Sequence, residues 1–123
     1  MNREIKFRIW VDAIGKGEMV YPKYITLHKD GCIESDRFLG GIAMQFTGIK
    51  DKNGKEIYEG DIVKFYTYHH QNKIIDTVHF SEGQWEMKES CESLFNSLWN
   101  QNKEGEIWLE VIGNIFENPE LLK

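Results

Sequence analysis

The stretch that decides the architecture is Ile5-Lys6-Phe7-Arg8-Ile9-Trp10-Val11. Ile5, Phe7, Ile9 and Val11 share one parity, and Lys6, Arg8 and Trp10 share the other. A period of two is the mark of a strand with one face against a core, which turns the basic residues here toward solvent. Moving outward, residues 12–17 read as a turn because Gly15 and Gly17 supply backbone freedom. Met19-Val20-Tyr21 begins a second strand, and Pro22, which has no N–H to donate, marks its end or an edge.

The same alternation returns along the chain. Ile42, Met44 and Phe46 align on one face of a further strand. Asn53-Gly54, between the apolar runs at 46–49 and 56–58, supplies the positive φ of a tight hairpin. Glu59-Gly60-Asp61 turns the chain again, and residues 62–68 form a strand with apolar groups on both faces. After a loop at 69–72, strands at 74–80 and 84–88 flank the turn Ser81-Glu82-Gly83, with Trp85 and Met87 inward and Glu86 and Lys88 outward. The period then changes. Cys91, Leu94, Phe95 and Leu98 fall at i, i+3, i+4 and i+7, which predicts a covering helix over 89–101 with Ser90 as N-cap. Ile107, Leu109 and Val111 start a last strand interrupted at Gly113-Asn114, and Asn118-Pro119 opens a short helical turn. The fold class expected is therefore mainly β: a small β-barrel-like domain of short antiparallel strands with one covering helix. It is read as a single compact domain over 1–123, with two fused β units meeting near 42–60 as the alternative.

Composition is consistent with this. In 123 residues, 41% are hydrophobic, and seven Phe, five Tyr and four Trp supply the large packing units of a real core. The net charge is −5 and unevenly spread. Residues 1–30 carry six Lys or Arg against four Asp or Glu, whereas residues 82–123 carry three against nine. That balance opposes general coating of a polyanion and leaves room for one basic face. No apolar run approaches the roughly 20 residues that span a bilayer, and the N-terminus lacks the apolar stretch of a secretory signal. Cys32 and Cys91 form no CxxC pair, so two free thiols in a reducing cytoplasm is the simpler reading, with one long-range disulfide left open.

Three segments resemble the YopX family of phage and prophage proteins. They are Arg3-Glu4-Ile5-Lys6-Phe7-Arg8-Ile9-Trp10, the central run Met44-Gln45-Phe46-Thr47-Gly48-Ile49-Lys50-Asp51-Lys52-Asn53-Gly54-Lys55-Glu56-Ile57-Tyr58-Glu59-Gly60-Asp61-Ile62-Val63, and Val111-Ile112-Gly113-Asn114-Ile115-Phe116-Glu117-Asn118-Pro119-Glu120-Leu121-Leu122. They occupy both ends and the centre, while residues 24–41 and 67–105 match poorly. The resemblance implies a phage or prophage origin, a compact β-rich fold and a place in the host cytoplasm. It carries over no catalytic residue.

No spacing supports a catalytic, cofactor or metal site. His69, His70 and His79 lack the paired short spacings of a structural zinc site. Glu56, Glu59 and Asp61 crowd a turn, which makes a metal-dependent hydrolase the remotest alternative. Gly60 and Asp61 also have a sufficient role in turning the chain. The glycines fit no phosphate-loop pattern. What remains is a macromolecule-binding face. Lys64, Tyr66, Tyr68, His69, His70 and Lys73 interleave rings and bases, as small barrels that bind single-stranded nucleic acid do. Ile62 shares the parity of Lys64, Tyr66 and Tyr68, which allows those rings a place in the core instead. Trp10, Trp99 and Trp108 are candidate hydrophobic anchors for a protein partner. The expectation is a non-enzymatic module that binds a host or phage protein or itself, with single-stranded nucleic acid as the alternative partner and no membrane association.

Overall fold

The computed structural model describes residues 4–13, 15–36, 40–66, 73–88 and 109–122. Strand dominates among them, so the mainly β class read from the alternation holds. The segment 89–101, read as a covering helix, lies outside the described residues. Among the described residues the helical element is a 3-10 turn at Pro119–Leu122. The chain clusters into two compact units, Met1–Phe46 and Thr47–Lys123.

In the first unit, β1 (Phe7–Ala13) and β2 (Lys16–Val20) form an antiparallel hairpin with Ile9 opposite Val20 and Trp10 opposite Met19. Two short strands, β3 (Ile25–Leu27) and β4 (Ile33–Ser35), pair as a separate ribbon. The first residues of β5 (Ile42–Lys50) lie along the other edge of β1, with Arg8 opposite Met44 and Ile9 opposite Ala43. Residues directly opposite share a face. Ile9 and Val20 are therefore buried on one face of β1, and Arg8, Met44 and Phe46 on the other.

This corrects the expectation that the basic residues of β1 face solvent. Arg8 is only 3% exposed, whereas Ile5, placed on the core face by its parity, is 63% exposed. The Lys6 ammonium lies 4.9 Å from the centroid of the Phe46 ring, a cation–π contact. Alternation distinguishes the two faces of a strand but does not say that one of them is wet. β1 is flanked by a strand on each edge, and both of its faces carry buried neighbours.

In the second unit the remainder of β5 pairs with β6 (Glu56–Tyr58). The connection is built by Asp51. Its Oδ1 accepts the N–H groups of Asn53 at 2.8 Å and Lys55 at 2.9 Å, while the Gly54 N–H donates to the Asp51 carbonyl at 3.0 Å. Gly54 has φ 80°, the left-handed conformation that the Asn-Gly pair predicted. The second carboxylate oxygen of Asp51 reaches much farther in sequence and accepts the Val111 N–H at 2.9 Å.

β7 (Asp61–Tyr66), β8 (Lys73–Ser81), β9 (Gln84–Met87) and β10 (Glu110–Asn114) form an antiparallel sheet in the order β10-β7-β8-β9. Its inner face presents Val63, Phe65, Val78, Met87 and Val111, which pack with Ile57 and Leu109 into one core cluster. Burying each such side chain contributes about 1.5–3 kcal/mol. Trp85 packs against this cluster, as its inward parity predicted. The register assigns Ile62, Lys64, Ile75, Thr77, His79, Glu86 and Glu110 to the outer face.

β10 slips register between Val111 and Gly113, and the chain then folds back on itself. Asn114 Oδ1 accepts the N–H groups of Phe116 at 3.0 Å and Glu117 at 2.9 Å. Asn118 Oδ1 in turn accepts the Asn114 N–H at 3.2 Å, so this side chain closes the loop as well as preceding Pro119. A Cβ on Gly113 would stand 2.6 Å from Asn118 Oδ1, which is why the tight loop needs glycine there. The 3-10 turn is thereby laid against β8.

Candidate functional site

The outer side of the second unit carries a cleft of about 440 Å³ whose floor is the middle of β8, from Ile75 to His79. Three backbone hydrogen bonds fix its walls. The Gly60 N–H donates to the Val78 carbonyl at 2.9 Å, and the Ile115 N–H donates to the Gly60 carbonyl at 3.0 Å. On the other edge of β8 the Lys88 N–H donates to the Thr77 carbonyl at 2.8 Å. Glu59, Lys88, Ile115 and Leu122 thus reach one cleft from four separate segments.

The lining is mixed. Its aliphatic surface comes from Ile75, Ile115 and Leu122, which are 38%, 36% and 46% exposed. Among the polar groups, His79 Nε2 stands 3.0 Å from Glu86 Oε1, and Gln84 Nε2 donates to Glu86 Oε2 at 3.3 Å. This chain of contacts orients the imidazole along the β8–β9 hairpin. Asp76 is buried, and its Oδ1 accepts the Thr77 N–H at 2.7 Å. The turn before β7 is held by Asp61, whose Oδ2 accepts the Tyr58 N–H at 2.7 Å, so this carboxylate serves the backbone as the sequence suggested. No group of three or more His, Cys, Asp or Glu among the described residues is arranged to hold a metal ion. The cleft is thus lined by aliphatic and polar groups together.

The residues singled out from sequence are mostly elsewhere. Lys64 lies on the outer face with its Nζ 3.3 Å from Glu110 Oε2, and Lys52 Nζ is 3.7 Å from the same oxygen. The hydrogen bond from Lys64 is the largest influence holding the Glu110 carboxyl below its ordinary pKa, with partial desolvation opposing it and the charges of Lys64 and Lys52 adding to it. Ile62, two residues before Lys64 on the same face, is fully buried. Tyr66 and Lys73 are opposite one another in the β7–β8 ladder. Tyr68, His69, His70, Trp99 and Trp108 lie outside the described residues. Trp10 is half-buried, and its indole lies over Gly17 of its own hairpin, where a Cβ would meet Cζ2 at 1.8 Å. The aromatic ring is thus engaged in covering a glycine of the neighbouring strand. The structure brings Ile75, Ile115 and Leu122 together instead. No local pattern could have joined them, because they lie in three different segments and meet only through the fold.

Fold and cleft together define a small, mainly β protein whose described polar side chains largely serve turns and walls. The chain belongs to the YopX family: the family model described as YopX protein matches residues 13–123, nearly the whole chain. Among solved structures it is similar to protein EF1440 from Enterococcus faecalis. That likeness has 24% identity and a TM-score of 0.56, over 99% of this chain and 100% of the other, and it concerns the fold. No curated protein matches the chain. No helix among the described residues is long and apolar enough to cross a membrane.

Proposed function

We propose that the protein works without covalent chemistry, as a module that binds a protein partner or a second copy of itself, and that the cleft over β8 is its docking site. The observation that carries this reading is the convergence of Ile75, Ile115 and Leu122, all more than a third exposed, on a single mixed cleft. An apolar centre within a polar rim is the general arrangement of protein interfaces. The pairing of Lys64 with Glu110 also favours a protein over a nucleic acid, because it places a carboxylate beside the basic group meant for a phosphate. Membership of the YopX family supports a phage or prophage accessory role in the host cytoplasm.

The test compares the full chain with Ile75→Asp and Leu122→Asp variants that retain the circular dichroism of the parent. Self-association by sedimentation, or binding of a specific partner purified from host cells, should be lost in both. Salt-sensitive binding of single-stranded oligonucleotides with no protein partner would overturn the proposal.

A further inference from the structure

The hairpin between β5 and β6 holds the chain's one asparagine that is followed by glycine, Asn53-Gly54, and both residues are exposed. This pairing is chemically labile. Glycine has no Cβ to shield its backbone nitrogen, which can close on the preceding side-chain amide. The other described asparagines lack that route. The nitrogen after Asn114 belongs to β-branched Ile115 and donates to the Gly60 carbonyl at 3.0 Å, and Asn118 precedes Pro119, which has no N–H. At Asn53 two influences oppose one another. Exposure and the bare glycine favour ring closure, and the turn resists it. The Gly54 N–H donates to the Asp51 carbonyl at 3.0 Å, and the Asn53 N–H donates to Asp51 Oδ1 at 2.8 Å. The nitrogen that must attack is engaged, and the backbone that must rotate is pinned.

We propose that Asn53 is a site of spontaneous deamidation, held slow in the folded chain by the Asp51 turn. The Gly54 nitrogen bonds to Asn53 Cγ, the Cγ–Nδ2 bond breaks, and the side-chain nitrogen leaves as ammonia, taking up the proton that Gly54 gives to solvent. Water then opens the cyclic imide at either carbonyl, leaving aspartate or isoaspartate. The surroundings give the change a consequence. The Asn53 side chain hydrogen-bonds the Glu110 carboxylate, which Lys64 and Lys52 approach to 3.3 and 3.7 Å. Deamidation replaces that donor with a further carboxylate near Asp51 and Glu110. Isoaspartate also inserts an additional backbone carbon into the turn. Both changes loosen the hairpin that Asp51 ties to β10.

The test keeps the full chain at mildly alkaline pH, folded or in guanidinium chloride, and maps its peptides by mass spectrometry with aspartate and isoaspartate separated. In denaturant Asn53 should convert first among the asparagines, and in the folded chain about tenfold or more slowly. Asp51→Ala, where its circular dichroism matches the parent, should recover most of that difference. In the parent itself, denaturant below the unfolding transition should raise conversion in step with amide exchange at Gly54, a readout that needs no substitution. Three results would overturn the restraint: equal rates folded and unfolded, conversion that stays flat while Gly54 exchange quickens, or a folded Asp51→Ala chain that converts as slowly as the parent. An Asn53 that persists in denaturant would overturn the chemistry itself. The consequence is read separately. Asn53→Asp should lower the urea midpoint, and Glu110→Gln in the same chain should restore part of it. An unchanged midpoint would overturn that step.

Discussion

Replacing Asp51 with Asn tests whether one side chain ties the central hairpin to the last strand. The carboxylate accepts three backbone N–H groups, from Asn53 and Lys55 on Oδ1 and from Val111 on Oδ2. Asn offers only one oxygen. If that oxygen keeps the two hairpin donors, the amide NH₂ is turned against the Val111 N–H, a donor facing a donor in a buried setting. Hydrogen bonds to charged groups contribute about 1.5–3 kcal/mol each, and neutral ones about half of that. The variant loses one such bond and downgrades two, and water can compensate the pair at the exposed hairpin tip. A loss of about 2–4 kcal/mol is expected, set chiefly by the stranded Val111 N–H. Urea unfolding followed by tryptophan fluorescence measures the total. Amide exchange at Val111 localises it, and protection there should fall in parallel. A change below about 0.5 kcal/mol, with Val111 still protected, would refute the reasoning.

Three further outcomes are expected. Gly54→Val should cost about 1–3 kcal/mol in urea unfolding, entirely from backbone strain, because an added Cβ at φ 80° meets no atom within 4 Å. Gly113→Ala should displace the Asn118 side chain and cost about 1–2 kcal/mol, and most of that cost should vanish in an Asn118→Ala background, where the clashing atoms are gone. The Glu110 carboxyl, lowered first of all by the Lys64 hydrogen bond, contributes stability that is present above its ordinary carboxylate value of 4.5 and is lost as pH falls through its depressed folded value. Acid unfolding of Glu110→Gln should therefore lack that part of the pH dependence, measured as a flatter stability profile below pH 4.5.

Elements whose causes are local were legible in the amino-acid order alone. Alternation marked β1, β5, β9 and β10, Asn53-Gly54 marked its hairpin, and Gly60 with Asp61 marked the turn before β7. Each of these follows from a few adjacent residues and the stereochemistry of the peptide chain. Family membership was legible for a similar reason: its segments are continuous in the chain. The helical stripe at 89–101 and the candidates Tyr68, His69, His70, Trp99 and Trp108 remain sequence readings, since they fall outside the described residues. What a side chain does once strands are paired depends on neighbours that come from elsewhere in the chain. Arg8 has the parity of a solvent-facing residue and is buried, on the same face as the buried Met44 opposite it on β5. Lys64 reads as part of a macromolecule-binding face and meets Glu110, and Trp10 reads as an anchor and covers Gly17, because each partner is set by strand register. Asp51 finds Val111 across sixty positions of sequence, and Ile75, Ile115 and Leu122 gather into one cleft, because contact there depends on how strands assemble and no local period encodes it.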